Sequence, residues 1–128
     1  MTSLYDYLED VVNIFASISP FAEFAEEPVV ETLGSELGIL IFSLKFTDGS
    51  ILDFTATLDF STDYPVYSNY SVHYQNRQCL CIFRYDNAPH HPELTPFPQH
   101  KHVGERAIDG ELPSMRQIAR EIEVALQQ

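Results

Sequence analysis

The chain has 128 residues, of which 45% are hydrophobic and 20% charged, so it has enough apolar surface for one folded domain and too little length for two cores. Its 19 acidic residues outnumber 7 basic ones, and the formal net charge of -12 excludes a protein that coats nucleic acids in general. The longest apolar run, residues 38–42, is far shorter than the roughly 20 residues needed to cross a bilayer, so no membrane segment is expected.

A helix is the first predicted element. Ser3 has a hydroxyl that suits a helix N-cap, and apolar residues then recur at helical spacing to about residue 17, ahead of Pro20. Residues 21–37 are acidic and show no clear period, apart from a short strand expected at residues 29–32.

A β-hairpin is predicted next. Residues 38–46 and 51–60 are rich in β-branched and aromatic side chains, and the Asp-Gly-Ser sequence at residues 48–50 is typical of a tight turn. Pairing Phe46 with Leu52 collects the large apolar side chains on one face and the polar ones on the other. This register predicts a sheet with one buried face.

A second β-hairpin is predicted at residues 66–74 and 79–85, with a two-residue turn at residues 76–77. In this register Cys79 and Cys81 share the apolar face with the tyrosines of the first strand, so both are expected to be small core residues. The opposite face has a mixture of polar and apolar side chains, which suits polar chemistry.

A long irregular segment and a closing helix complete the chain. Four prolines interrupt residues 87–112, which are therefore predicted to form a loop rich in proline and histidine. Ser114 is a candidate N-cap for a helix with an apolar stripe. The predicted fold is a single α+β domain over residues 1–128, with an antiparallel sheet of four to five strands and a helix at each end.

Charge is distributed unevenly between the two halves. Residues 1–64 contain one basic and twelve acidic side chains, whereas residues 65–128 contain six basic, seven acidic and all five histidines. An anionic partner is therefore expected to approach the second half. The chain opens without a secretory leader and has two cysteines rather than a disulfide framework, so we expect a cytoplasmic protein.

The histidines are the most informative residues. Four of the five lie within residues 90–102, and the fifth, His73, lies on the strand predicted to pair with the one that leads into the loop. Prolines lower the entropy cost of fixing such a loop. We therefore expect the imidazoles to converge on one pocket.

Several strings of residues carry a family resemblance. They are the DGS turn, the YSVHYQ strand, and RYDNAPHH followed by PFPQHKH. Over about residues 46–103 the sequence resembles the TumE family, small bacterial toxins of toxin–antitoxin pairs. The resemblance implies growth inhibition and a cognate antitoxin as partner. Gln99 departs from the family pattern, in which a further histidine often stands before the His-Lys-His.

The residues themselves suit cleavage of RNA without a metal. One imidazole takes the proton of the 2′-hydroxyl, another protonates the leaving oxygen, and a fixed cation stabilises the phosphorane. We therefore predict a ribonuclease or other phosphodiesterase that needs no metal or cofactor and has RNA as its substrate. Arg84 and Lys101 are the candidate cations, and Asp86 orients an imidazole. The candidate catalytic residues are His73, Arg84, Asp86, His90, His91, His100, Lys101 and His102. The candidate RNA-binding residues are Tyr85, Asn87 and Phe97.

Two other functions use the same residues. In a metal-dependent hydrolase, His100, His102 and a loop histidine bind zinc, with Asp86 or Glu93 as a further ligand or base. In a non-catalytic toxin, the histidine loop binds a cellular protein. In either case we expect the antitoxin to cover the loop, and a basic antitoxin segment would be attracted to so acidic a chain.

Overall fold

In the part of the chain that the structure describes, the elements follow the order one helix, eight strands and a second helix. The computed structural model describes residues 3–62, 65–87 and 99–127. Within them the elements are α1 (Leu4–Ala16), β1 (Glu23–Phe24), β2 (Val29–Leu33), β3 (Leu37–Lys45), β4 (Ile51–Asp59), β5 (Val66–Gln75), β6 (Cys81–Asp86), β7 (His100–Val103), β8 (Arg106–Asp109) and α2 (Met115–Leu126). The α+β class and the two terminal helices are confirmed, whereas the prediction of four to five strands is wrong. No helix in the described part of the chain is both long and apolar enough to cross a bilayer.

The strands form one antiparallel sheet. β3 to β8 lie side by side in chain order, and β1 and β2 both pair with the free edge of β3. Each strand from β3 to β8 pairs with the next one along the chain, and this meander brings β4, β5, β6 and β7 next to one another.

Two of the unexpected strands, β7 and β8, lie in the segment predicted to be irregular. All the prolines of that segment precede residue 99, so every backbone N–H of β7 is free to join the sheet. β7 pairs with β6 on one side and with β8 on the other, through a two-residue turn in which Gly104 has φ +62°. Residues 88–98, which hold the rest of the proline- and histidine-rich loop, lie outside the described residues.

Both helices pack on the same face of the sheet, here called the helix face. α1 contributes Leu4, Val11 and Phe15 to the core, and α2 contributes an apolar stripe that includes Ile118 and Ile122. The sheet meets them with every second residue, as the alternating burial of β3 and β4 shows. Neither of the two described helices packs on the other face of the sheet, here called the outer face.

The first hairpin has the predicted faces but a different register. Leu44, not Phe46, pairs with Leu52, because the turn closes one residue earlier than expected. The Asp48 carboxylate accepts a 2.9 Å hydrogen bond from the Ser50 N–H, and Gly49 takes up φ +86°. A shift of two residues in pairing keeps every side chain on its face.

The large apolar side chains of the second hairpin keep their predicted face, but the register differs. Tyr74 pairs with Phe83 across a turn longer than two residues. The Asn76 side chain closes this turn by accepting hydrogen bonds from the Gln78 and Leu80 N–H groups at 2.9 and 3.1 Å. Cys79 is therefore exposed in the turn, and Cys81, which pairs with Gln75 beyond a register shift, is only partly buried. The prediction that both cysteines are core residues is wrong.

Candidate active site

Three of the predicted catalytic residues are cross-strand neighbours on the outer face. His73 on β5 pairs with Arg84 on β6, and Arg84 pairs with His102 on β7. Asp53 on β4 continues the row beside His73. Directly opposite residues on antiparallel strands project from the same face, with Cβ atoms roughly 5 Å apart. The sheet therefore places a guanidinium between two imidazoles.

The buried Asp86 carboxylate joins this row to His100. Its Oδ2 lies 2.9 Å from Arg84 Nε and 3.5 Å from His102 Nε2, and its Oδ1 lies 2.7 Å from His100 Nε2. Asp86 and His100 are also paired residues of β6 and β7. One carboxylate thus compensates the charge of a guanidinium and orients two imidazoles.

Exposure separates residues that can meet a ligand from residues that hold the others in place. The side chains of Arg84 and His102 are 42% and 19% exposed, whereas those of Asp86 and His100 are 2% and 1% exposed. Arg84 and His102 therefore have surface that a molecule in solution can reach. Asp86 and His100 are suited to positioning them.

His73 differs from the other imidazoles in its electrostatic surroundings. Partial burial lowers the pKa of His73, and the positive charge of Arg84 lowers it further, while the Asp53 carboxylate opposes both effects. The imidazole is therefore neutral at pH 7. A neutral imidazole has an unprotonated ring nitrogen that can accept a proton, and the neighbouring cation makes it a weaker base.

Lys101 and Tyr85 lie on the helix face, away from the imidazoles. Lys101 Nζ is 3.1 Å from Glu121 Oε1 of α2 and 4.7 Å from the centre of the Tyr85 ring, and the Tyr85 hydroxyl donates a 2.7 Å hydrogen bond to the same Glu121 oxygen. Burial acts to lower the pKa of Lys101, but hydrogen bonds with Tyr85 and Glu121 outweigh it and raise the pKa. Strand alternation thus separates Lys101 from the histidines on either side of it.

Residues 13–128 match the family described as Toxin TumE. This chain belongs to the TumE toxin family. The resemblance predicted from residues 46–103 is confirmed, and the match extends beyond that span in both directions. TumE membership makes the chain a toxin of a toxin–antitoxin system and implies a cognate antitoxin. No curated protein and no solved structure gives a match.

A cleft of about 370 Å³ adjoins Arg84 on the outer face of this TumE-family chain. Hydroxyl and amide groups of β4 and β5 supply much of its lining, and sequence reasoning did not select them as site residues. The sequence could have identified these residues, because strand alternation places them on the same face as His73. They are Thr55, Thr57, Asn69 and Ser71.

The remaining predicted residues fall into two groups. Asn87 lines the cleft, and its amide is held by β5, since it accepts a 3.1 Å hydrogen bond from the Tyr70 N–H and donates a 2.8 Å bond to the Ser68 carbonyl. His90, His91 and Phe97 lie outside the described residues.

Asp86, His100 and His102 also form a possible metal centre in this TumE-family chain. One ligand atom from each residue lies within 4.8 Å of the other two. Two imidazoles and a carboxylate suit zinc or iron(II). The Arg84 guanidinium at 2.9 Å from the Asp86 carboxylate supplies positive charge at the same point, which disfavours a dication there.

Proposed function

We propose that this TumE-family toxin inhibits growth by cleaving RNA without a metal ion. The proposal rests on one observation, the consecutive cross-strand placement of His73, Arg84 and His102 on the outer face. Metal-free cleavage of a phosphodiester needs a proton acceptor, a proton donor and a cation between them. This row has all three groups on rigid strands.

The proposed reaction is attack of the 2′-hydroxyl on the adjacent phosphorus. His73 takes the proton from the 2′-hydroxyl, and the 2′-oxygen forms a bond to phosphorus. The bond from phosphorus to the 5′-oxygen breaks, and His102 donates a proton to that oxygen. One proton is taken up and one is released, and the products are a 2′,3′-cyclic phosphate and a 5′-hydroxyl.

Arg84 and Asp86 support these two steps. The Arg84 guanidinium lies between the imidazoles, where it stabilises the negative charge that develops on the phosphorane oxygens. Asp86 fixes Arg84 through its 2.9 Å contact and compensates the charge of a protonated His102 at 3.5 Å. His100, buried at 2.7 Å from Asp86, keeps that carboxylate in place.

The test is cleavage of an RNA oligonucleotide in EDTA, with a 2′-deoxy oligonucleotide of the same sequence alongside. We expect RNA to be cut to a 2′,3′-cyclic phosphate and the deoxy strand to survive. His73→Ala and His102→Ala should each lower the rate by roughly 100-fold or more. Arg106→Gln, which removes an exposed cation from β8, is the matched control and should leave the rate unchanged.

Three results would overturn the proposal. Equal cleavage of the deoxy strand removes the 2′-hydroxyl from the mechanism. Full activity of His102→Ala removes the proposed proton donor. Growth inhibition that persists in variants without cleavage points to a toxin that binds a cellular protein.

A metal-dependent hydrolase is the second candidate, favoured by the compact arrangement of Asp86, His100 and His102. Here the two imidazoles and the carboxylate would hold the ion, which would supply Lewis-acid chemistry for hydrolysis of a phosphodiester. Cleavage that disappears in EDTA and returns with zinc supports this candidate, because the metal-free mechanism is indifferent to chelation.

A further inference from the structure

The outer face carries an apolar surface far from the histidines. On the β2–β3 hairpin, Val29 pairs with Ile41 and Leu33 pairs with Leu37, and these four side chains are 39–46% exposed. A sheet face in water normally has polar residues at such positions, and a contiguous apolar surface indicates an interaction site. Together with Ile39, which lies between the two pairs, they form what we call the aliphatic patch.

The charge around the aliphatic patch selects the kind of partner. Residues 23–37 contain five glutamates and no basic side chain. Glu31 pairs with Ile39 and Asp59 pairs with Leu37, so both acids share the face of the patch. A second copy of the chain, with its own net charge of -12, would be repelled here. The complementary surface is aliphatic and basic.

The aliphatic patch is connected to the candidate active site by one row of paired residues. Val29 pairs with Ile41, Ile41 with Thr55, Thr55 with Ser71, and Ser71 with Asp86. Strands lie about 4.8 Å apart, so four spacings make roughly 19 Å. About six residues of extended chain span that distance.

We propose that the cognate antitoxin, which TumE membership implies, docks a basic and aliphatic segment on the aliphatic patch and continues across the cleft to Asp86. Burial of the five aliphatic side chains supplies binding energy, and the surrounding carboxylates speed association. The continuing segment covers Thr55 and Ser71 and closes the approach to Arg84. Only this closure rests on the proposed function, because docking on the patch depends on the patch alone.

The experiment uses the full chain and the antitoxin, taken as the protein of the same locus whose co-expression restores growth. Val29→Thr with Ile41→Thr removes apolar surface from the patch while threonine keeps the β-branching that suits a strand. The matched control is Val103→Thr with Ile108→Thr, since these residues are 45% and 38% exposed on the helix face of β7 and β8. Dissociation constants and rescue of growth are measured for both.

We expect the patch variant to bind the antitoxin about tenfold or more weakly and to escape rescue, while the control behaves as the parent chain. Added salt should slow association in both. Equal affinity of the patch variant, or equal weakening of the control, overturns the proposal. So does loss of toxicity in the patch variant, or a homodimer that the patch variant abolishes. Growth and binding are read without RNA, so a failure of the ribonuclease proposal would not mask these outcomes.

Discussion

Replacement of Asp86 by asparagine tests whether one carboxylate holds the candidate site together. Asparagine keeps the shape of the side chain and removes its charge. In the parent chain this carboxylate is 2.7 Å from His100, 2.9 Å from Arg84 and 3.5 Å from His102. The variant therefore weakens three contacts at once.

The size of the effect follows from how far each partner is exposed. Arg84 is 42% exposed, so water replaces most of its lost ion pair, and that loss costs less than about 1 kcal/mol. His100 is 1% exposed and keeps no such access, so loss of its contact with a charged group costs about 1.5–3 kcal/mol. Together we expect Asp86→Asn to lower the free energy of unfolding by about 1.5–4 kcal/mol. For a domain of this size that corresponds to a Tm lower by roughly 6–16 °C.

Urea unfolding followed by circular dichroism measures this difference. The matched control is Asp53→Asn on the neighbouring strand, where a half-buried carboxylate accepts a 2.5 Å hydrogen bond from the Ser43 hydroxyl. We expect the control to lose less than about 1 kcal/mol, because water reaches that carboxylate. An Asp86→Asn variant within about 0.5 kcal/mol of the parent chain, or no less stable than the control, would refute the reasoning.

Three further predictions concern individual side chains. Arg84→Gln removes a cation that lowers the pKa of His73. The pKa of that imidazole, measured by NMR titration, should therefore rise yet stay below 6.5, because burial lowers it more than Asp53 raises it. A fall in the pKa would contradict this. Lys101→Met should keep RNA cleavage, since Lys101 lies on the helix face, and should lower the free energy of unfolding by about 1 kcal/mol; lost cleavage in a folded variant would contradict it. Gly110→Ala would place a Cβ 2.7 Å from Lys101 Cβ, so we expect the free energy of unfolding, measured by thermal melting, to fall by about 1–3 kcal/mol. An unchanged Tm would contradict this and show that β7 shifts to make room for the methyl group.

Local signals in the sequence were sufficient to predict the helices. Ser3 and Ser114 are observed as N-caps, where their hydroxyls accept hydrogen bonds from the backbone N–H three residues later at 3.1 and 3.2 Å. Such a cap depends only on neighbours within one helical turn. Its prediction therefore needs no knowledge of the sheet.

Strand faces were predictable, and strand registers were not. The alternation of apolar side chains has a period of two, so pairing Phe46 or Leu44 with Leu52 buries the same set. The turn decides between the two registers. Asp48 and Asn76 accept hydrogen bonds from backbone N–H groups within their own turns. The pattern of apolar side chains does not depend on these hydrogen bonds, so it could not predict the register.

β7 and β8 escaped prediction because their faces do not differ in polarity in the usual way. Lys101 lies on the helix face, where Glu121 compensates its charge. His100 is buried on the outer face, where its Nε2 lies 2.7 Å from the Asp86 carboxylate. An ionisable residue on each face removes the alternation of polar and apolar side chains that identifies a strand. The sequence grouped His73, Arg84, His102 and Lys101 together. Strand pairing makes the first three consecutive cross-strand neighbours, whereas Lys101 lies on the other face, because only the strand assignment separates adjacent residues by face.

The uneven charge of the chain acts in opposite directions on its two proposed partners. RNA must approach a molecule of net charge -12 and find a single exposed guanidinium between two imidazoles, so long-range repulsion slows its binding. A basic antitoxin is attracted by the same field and first meets the glutamates of residues 23–37. Salt screens both effects over about 10 Å at 0.1 M. Raising the ionic strength should therefore speed RNA cleavage by the free toxin and slow association of the toxin with the antitoxin. If RNA and the antitoxin had charge of the same sign, salt would change both rates in the same direction.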